Sequence, residues 1–217
     1  MHNFNNPNEL PKEMLYFTYD EFQKFLSGEK DIKFRYAWQL LYYCGLRIGE
    51  LKGITWKDID FENRTVSINK QITQQSCRSK WTFSSPKTAK SNRVLPLTKV
   101  FLNDLEKLKK SDSELLFGFN DLYFIIGDIA PQISSTITAK KNRNCKFAGV
   151  KQTRIHDFRH SWASLLIYKG ANIITVSKFL GHTKIEETPN TYTHLYKNVL
   201  TDITSLIDDM NEARINS

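Results

Sequence analysis

The chain has 217 residues, of which 40% are hydrophobic and 12% aromatic, enough to bury one good core. Its formal charge of +8 favours a polyanionic partner such as nucleic acid. No apolar run approaches the roughly 20 residues of a membrane span, and the N-terminus does not resemble a signal peptide. Three scattered cysteines argue against a disulfide framework. These features predict a cytoplasmic protein without a membrane partner.

The first half of the chain predicts a linker followed by three helices. Residues 1–15 have the character of a linker, and Thr18 is placed to cap an amphipathic helix, "TYDEFQKFLSG". The next helix, "KFRYAWQLLYYCG", is apolar on most of its surface and ends at Gly45. A short helical turn, "LRIGELKGI", then begins close to Arg47.

The segment from residue 54 to 97 has strand character, and the chain after it is helical again. "TVSINKQIT", "KWTFSSPKTAKSNRVLPL" and the turn residues within them predict a small antiparallel sheet of about three strands. Helical spacing then recurs in "KVFLNDLEKLKK", "PQISSTITAKKNR", "HDFRHSWASLLIYKG", "NIITVSKFLGH" and "YKNVLTDITSLIDDMNEAR". We therefore expect an α+β fold that is mainly α-helical with one small sheet.

Basic residues are unevenly distributed along the chain. They recur near the predicted sheet and again between positions 140 and 154, whereas acidic residues concentrate in the C-terminal helix. A groove that closes around a phosphate backbone needs this asymmetry. A lysine-rich solvated surface explains the charge alone equally well, so both interpretations stay open at this point.

The stretch "HDFRH" at residues 156–160 permits two kinds of site. His156, Arg159 and His160 share one arc of a helix, and Asp157 lies at or beyond its edge. The pattern is close to the zinc-hydrolase motif H-E-x-x-H, but Arg159 would repel a cation. The same face suits a phosphate, since arginine offers a planar fork of donors.

Further segments supply the groups that a metal-free phosphoryl-transfer site needs. "CGLRIGEL" carries an arginine and, three residues later, a glutamate; "PKTAKSNR" carries a lysine in a turn; "FLGHTKIEETPNTYTHLY" carries a histidine and, ten residues later, a tyrosine. Taken singly, each of these residues has an ordinary structural explanation as a surface, capping or packing residue. For His160 and Glu50 we favour a supporting role over direct reaction.

The four segments "GLRIGEL", "PKTAKSNRVLPL", "HDFRHSWASLL" and "LGHTKIEETPNTYTHL", in this order and spacing, resemble the catalytic domain of the tyrosine recombinases, the phage-integrase family. The match spans about residues 15 to 200. The resemblance implies the DNA breaking-rejoining fold of that family for residues 16–217, including a C-terminal helix at 197–214. It also implies that residues 1–15 link to an N-terminal core-binding domain absent from this chain.

The resemblance assigns a role to each site residue. Tyr192 would attack a DNA phosphodiester and hold the 3′ phosphate as a phosphotyrosine, and Arg47 and Arg159 would clamp its non-bridging oxygens. Lys87 would protonate the departing 5′ oxygen, and His156 would act as acid and base near the nucleophile. The remaining residues would bind the phosphate or support the others: His182, Glu50 and His160.

Two residues near Tyr192 bear on the assignment of the nucleophile and on its local structure. Tyr196, four residues after Tyr192, is the rival nucleophile, and the family spacing favours Tyr192. Pro189 departs from the family, which more often has an aliphatic residue or methionine there; Thr188 can cap a new turn that begins at this proline.

The expected function is a site-specific DNA recombinase, a phage or mobile-element integrase, that acts on double-stranded attachment sites in a bacterial host cell without metal, ATP or another cofactor. The apolar stripe of the C-terminal helix favours docking within the domain or on a neighbour in a tetramer on DNA, and the sequence leaves the choice open. The alternatives are a type IB topoisomerase-like enzyme, a catalytically silent DNA-binding regulator of the same fold and, third, the metalloenzyme.

Overall fold

A computed structural model describes residues 16–77, 80–84 and 92–181. Within these ranges the chain forms seven α-helices, five β-strands and one 3-10 turn, so the mixed α+β class predicted from the sequence is confirmed. In chain order they are α1 (Tyr19–Gly28), α2 (Ile32–Tyr43), α3 (Ile48–Gly53), the 3-10 turn (Trp56–Asp58), β1 (Ile59–Asp60), β2 (Thr65–Ile68), β3 (Gln71–Cys77), β4 (Lys80–Ser84), β5 (Arg93–Pro96), α4 (Lys99–Leu115), α5 (Ser134–Ala148), α6 (Ile155–Tyr168) and α7 (Ile173–Leu180).

Helix α1 begins where the sequence predicts, because Thr18 and Glu21 cap it reciprocally. The backbone N–H of Glu21 donates to Thr18 Oγ1 at 3.2 Å, and the backbone N–H of Thr18 donates to Glu21 Oε2 at 2.7 Å. This capping box satisfies two N–H groups that the first turn leaves without helical partners. Phe22, Phe25 and Leu26 follow at helical spacing and are buried.

An aromatic cluster joins α1, α2 and α6 at the centre of the core. Phe22 stacks on Tyr42 with ring centroids 3.8 Å apart, and Phe25 contacts Trp38 and Phe158 edge-on at 5.6 and 5.4 Å. Each of these five side chains is fully buried. Such rings bury much apolar area in fixed geometry, so α6 is held firmly against α2.

The strands form two sheets. A three-stranded antiparallel sheet has the order β1-β2-β5, with Val66 paired with Leu95, whereas the sequence predicted a single sheet that included the segment of β4. Strands β3 and β4 make a separate two-stranded antiparallel ladder. The run "TVSINKQIT" thus belongs to both sheets, and it divides at Asn69 and Lys70, where the Lys70 ammonium turns to pair with Asp58.

Strand β3 leaves the first sheet because it packs directly on α3. The backbone of β3 approaches two glycines one helical turn apart: a β-carbon at Gly49 would lie 3.0 Å from the Ile72 carbonyl oxygen, and one at Gly53 would lie 3.3 Å from Gln71 Cα. A side chain at either position would require the β3 backbone to shift by a few tenths of an ångström. At the other strand, Trp81 and Phe83 pack on Phe124, with centroids 5.3 and 6.0 Å apart.

Among the helices that the structure describes, none combines the length and the apolar character that crossing a bilayer requires.

Candidate functional site

Arg47 lies at the start of α3, directly after the turn that ends α2. Gly45 forms this turn with φ of +58°, a conformation that glycine adopts readily. Arg47 then occupies the position before the first helical residue. Its side chain is 39% exposed, so a ligand can approach the guanidinium.

Glu50 is buried and binds two arginines. Its oxygens accept hydrogen bonds from the Arg47 backbone N–H and Nη1 at 2.9 and 3.0 Å, and from Nη1 and Nη2 of Arg93 at 3.0 and 2.9 Å. Burial alone would raise the pKa of Glu50, but the hydrogen bonds and charges of Arg93 and Arg47 outweigh it and hold the pKa below its usual range. Glu50 is therefore an ionised anchor for Arg47.

Arg159 lies in α6 and joins three parts of the chain. It is 1% exposed, and its Nη1 donates to the Gly45 carbonyl at 2.7 Å while its Nη2 donates to the Leu180 carbonyl at 2.6 Å. The guanidinium is thus tied to the turn before Arg47 and to the end of α7. Arg47 and Arg159, the two arginines predicted as phosphate clamps, are 112 residues apart along the chain but lie at one site.

His156 and His160 pack against each other on the adjoining part of α6. Their rings lie 4.6 Å apart at 85°. Partial desolvation lowers the pKa of His156, and the positive charges of Arg159 and Arg47 lower it further, while Asp157 acts in the opposite direction. Burial and the neighbouring His156 lower the pKa of His160 to about 4. Both imidazoles are therefore neutral near pH 7, as a proton acceptor must be.

Asp157 contributes to helix capping. It accepts hydrogen bonds from the Arg154 backbone N–H at 2.7 Å and from Nη2 of the same residue at 2.8 Å, and it is 2% exposed. Asp157 therefore fixes the first turn of α6. Within residues 16–77, 80–84 and 92–181, no group of three or more potential metal-ligating side chains occurs.

Three predicted site residues lie outside the described residues: Lys87, His182 and Tyr192. The rival Tyr196 and the predicted helix 197–214 lie outside them too. Gly181, the last described residue, lies beside Arg93 near the start of the range 92–181: a β-carbon at Gly181 would lie 3.1 Å from Arg93 Cδ. The segment with Lys87 leads into Arg93, and His182 follows Gly181 directly.

Arg93 is a site residue that sequence patterns did not select. In the sequence it is one of several basic residues near the predicted sheet, yet its side chain is 7% exposed and forms a two-pronged ion pair with Glu50. No local pattern signals this pair, since its members are 43 residues apart. The sequence gives one indication of such a pair: a buried carboxylate such as Glu50, close to a phosphate site, needs a cationic partner.

A basic groove lies next to α3. Its volume is about 1060 Å³, and it is lined by Ile48, which follows Arg47, and by residues of α5 and of the segment leading into α6, among them Lys141, Lys146 and Arg154. Lys146 and Arg154 are exposed, whereas the buried Lys141 ammonium donates to the Thr153 carbonyl. Three of the basic residues between 140 and 154 thus line a concave surface that also includes Ile48, the neighbour of Arg47.

Comparison with known proteins identifies the same family that the four sequence segments resemble. The sequence model of the phage integrase family matches residues 15–199. The chain is 31% identical to the ICEBs1 integrase of Bacillus subtilis over 94% of its own length, and 26% identical to a XerC-like tyrosine recombinase of Caldanaerobacter subterraneus over 93%. It spans 58% and 56% of these two relatives.

Solved structures show the same architecture. The integrase of transposon Tn1549, in complex with circular intermediate DNA, superposes with a TM-score of 0.66 at 26% identity, covering 84% of this chain and 63% of the other. The XerA recombinase superposes with a TM-score of 0.69 at 20% identity, covering 92% of this chain and 66% of the other. The second likeness concerns the fold alone.

Proposed function

Because this chain belongs to the phage integrase family, we propose that it is the catalytic part of a site-specific DNA recombinase of a phage or mobile element. It cleaves and rejoins DNA strands through a 3′-phosphotyrosine on Tyr192. The observation that carries this proposal is the convergence of Arg47 and Arg159 through the Gly45 turn, since Arg159 binds a carbonyl two residues before Arg47.

The chemistry is a transesterification. The Tyr192 phenol oxygen attacks phosphorus and the bond to the 5′ oxygen breaks. His156 accepts the phenolic proton, and Lys87 donates a proton to the departing oxygen. Arg47 and Arg159 stabilise the negative charge on the non-bridging oxygens as it develops. A 5′ hydroxyl later reverses these steps, so the bond energy is conserved without ATP.

The described residues support several of these roles. Arg47 keeps an exposed part of its side chain while Glu50 fixes its orientation. The lowered pKa of His156 keeps it neutral near pH 7, which a proton acceptor requires. In this mechanism His160 packs behind His156 and His182 hydrogen-bonds the phosphate.

The proposed partner is double-stranded DNA, at the attachment sites of the element. The groove lined by Lys141, Lys146 and Arg154 supplies positive charge beside the arginines, and a relative of similar fold, the Tn1549 integrase, has been solved with DNA. The amphipathic segment 197–214, with its stripe of Leu200, Ile203, Leu206, Ile207 and Met210, would dock on a neighbour in a tetramer on DNA. The site of action is the bacterial cytoplasm.

A nicked suicide duplex tests this function. The full chain is incubated, in EDTA, with duplexes that carry the ends of the DNA element that encodes it, and a covalent protein–DNA adduct is sought on a denaturing gel. We expect an adduct with the wild type and with Tyr196→Phe, and none with Tyr192→Phe. A supercoil-relaxation assay on plasmids without these ends separates a topoisomerase-like enzyme, and DNA binding without any adduct would indicate a silent regulator.

A further inference from the structure

We propose that Arg93 is a positioning residue: by saturating the carboxylate of Glu50, it prevents Glu50 from cancelling the charge of Arg47 and keeps the Arg47 guanidinium correctly oriented. The proposal rests on the proposed function, because the role of Arg47 as a phosphate clamp is part of it. Arg93 itself does not contact the DNA in this mechanism.

The geometry places Glu50 between the two arginines. Arg93 donates from both terminal nitrogens, one to each Glu50 oxygen, whereas Arg47 donates from one terminal nitrogen and its backbone N–H. The Arg93 side chain is 7% exposed and that of Arg47 is 39% exposed. Arg93 thus lies on the protein side of Glu50, and Arg47 lies on the accessible side.

The charges explain why the second arginine is needed. Glu50 and Arg47 alone form a neutral pair, and a phosphate meeting that pair gains little attraction. With Arg93 included, the three groups carry a net charge of +1, and the carboxylate is shared between two guanidinium groups. The buried carboxylate still anchors Arg47 but does not neutralise it, so the exposed guanidinium retains its attraction for an oxyanion.

Arg93 also contacts the segments that lead to the other predicted catalytic residues. Its stem packs against Gly181, which precedes His182, and it begins β5, which follows the segment containing Lys87. Burial raises the pKa of the Cys44 thiol to about 12, and the charge of Arg93 acts against that rise. Arg93 is therefore close both to the turn before Arg47 and to the end of α7.

The test compares Arg93→Gln with Glu50→Gln/Arg93→Gln in the full chain. Cleavage rates are measured in single turnover at saturating suicide duplex, with DNA affinity measured separately. Loss of Arg93 alone leaves Glu50 to neutralise Arg47, so we expect the rate to fall about 10- to 100-fold, the range for residues that orient a site's contact groups. DNA affinity should change less than about threefold, because most of the binding energy comes from other phosphate contacts.

The double variant separates charge balance from simple packing. Without the charges of Glu50 and Arg93, the group again carries a net charge of +1, on Arg47. The double variant should therefore cleave about 10-fold faster than Arg93→Gln, a coupling typical of residues in one charge network. A purely structural Arg93 predicts a double variant no faster than the single one. Lys107→Gln is the control, since Lys107 is 80% exposed and pairs with Asp104 on α4.

The outcomes distinguish a failure of the role proposed for Arg93 from a failure of the proposed function. An Arg93→Gln rate equal to wild type, or a double variant at or below the single one, overturns the proposal while leaving the recombinase function intact. A wild type that forms no adduct refutes the proposed function instead. If Arg93→Gln does not fold, as circular dichroism would show, Arg93→Lys replaces it: the lysine keeps the charge that balances Glu50, so the proposal requires a smaller loss of rate than that expected for Arg93→Gln, and a loss of about 10-fold or more overturns it.

Discussion

Replacing Gly45 with alanine tests the turn that joins the two arginines. The new methyl group would lie 2.6 Å from Leu180 Cδ2 and 3.7 Å from Arg159 Cγ. The left-handed conformation at φ +58° costs an alanine about 1–2 kcal/mol, and crowding a packed core costs about 1–3 kcal/mol more. The free energy of unfolding should therefore fall by about 2–5 kcal/mol.

Gly149→Ala is the matched control. Gly149 has a similar φ of +64°, but a β-carbon there meets nothing within 4 Å, so only the backbone cost of about 1–2 kcal/mol applies. The two variants restrict the unfolded chain equally, and the difference between them isolates the contact with Leu180. Urea denaturation measures both values.

The same contact links stability to catalysis. The Leu180 carbonyl accepts a hydrogen bond from Arg159, so a shift of Leu180 displaces the guanidinium. Misplacement by about 1 Å costs about 100-fold in rate, and the cleavage rate of Gly45→Ala should fall by about that factor while Gly149→Ala remains as active as wild type. Equal stability losses in the two variants would refute the proposed packing effect, and normal cleavage by Gly45→Ala would refute its link to Arg159.

Three further predictions concern the α6 side chains. Arg159→Ala should lower single-turnover cleavage by at least about 100-fold, since it removes a charged donor from the transition state; an adduct yield near wild type would exclude it as a clamp. Because the folded pKa of His160 is about 4 and the unfolded value about 6.5, the unfolded state binds the proton first. Stability should fall as the pH is lowered from about 6.5 to 4, and His160→Gln should reduce that slope in urea titrations at several pH values. Added zinc or EDTA should leave the cleavage rate unchanged, because Asp157 is engaged by Arg154 and Arg159 places a positive charge beside both histidines; inhibition by EDTA that zinc reverses would contradict this.

Local signals in the sequence predict most of the helices correctly. Thr18 and Glu21 determine the start of α1 through their own hydrogen bonds, and Gly45 ends the buried helix at the expected place. These features depend on residues a few positions apart. Arg47, Glu50 and the α6 residues are predicted as site residues on the same kind of signal, since each belongs to a short recognisable segment.

Contacts between distant residues were beyond sequence reasoning. The run 65–73 has strand character throughout, and it divides only because Lys70 reaches Asp58 and because β3 packs on Gly49 and Gly53. The ion pair of Arg93 with Glu50 is equally non-local. Burial of Arg159 between two backbone carbonyls depends on the ends of α2 and α7 meeting at α6, which no periodicity reveals.

The most direct test of the proposed chemistry is to locate the nucleotide on the trapped protein. The suicide-substrate adduct is digested with nuclease and trypsin, and the peptide covering residues 185–197, which contains both Tyr192 and Tyr196, is fragmented in a mass spectrometer. We expect a nucleotide 3′-phosphate on Tyr192. A phosphate on Tyr196, on a serine or threonine, or on no residue of this chain would contradict the proposed mechanism.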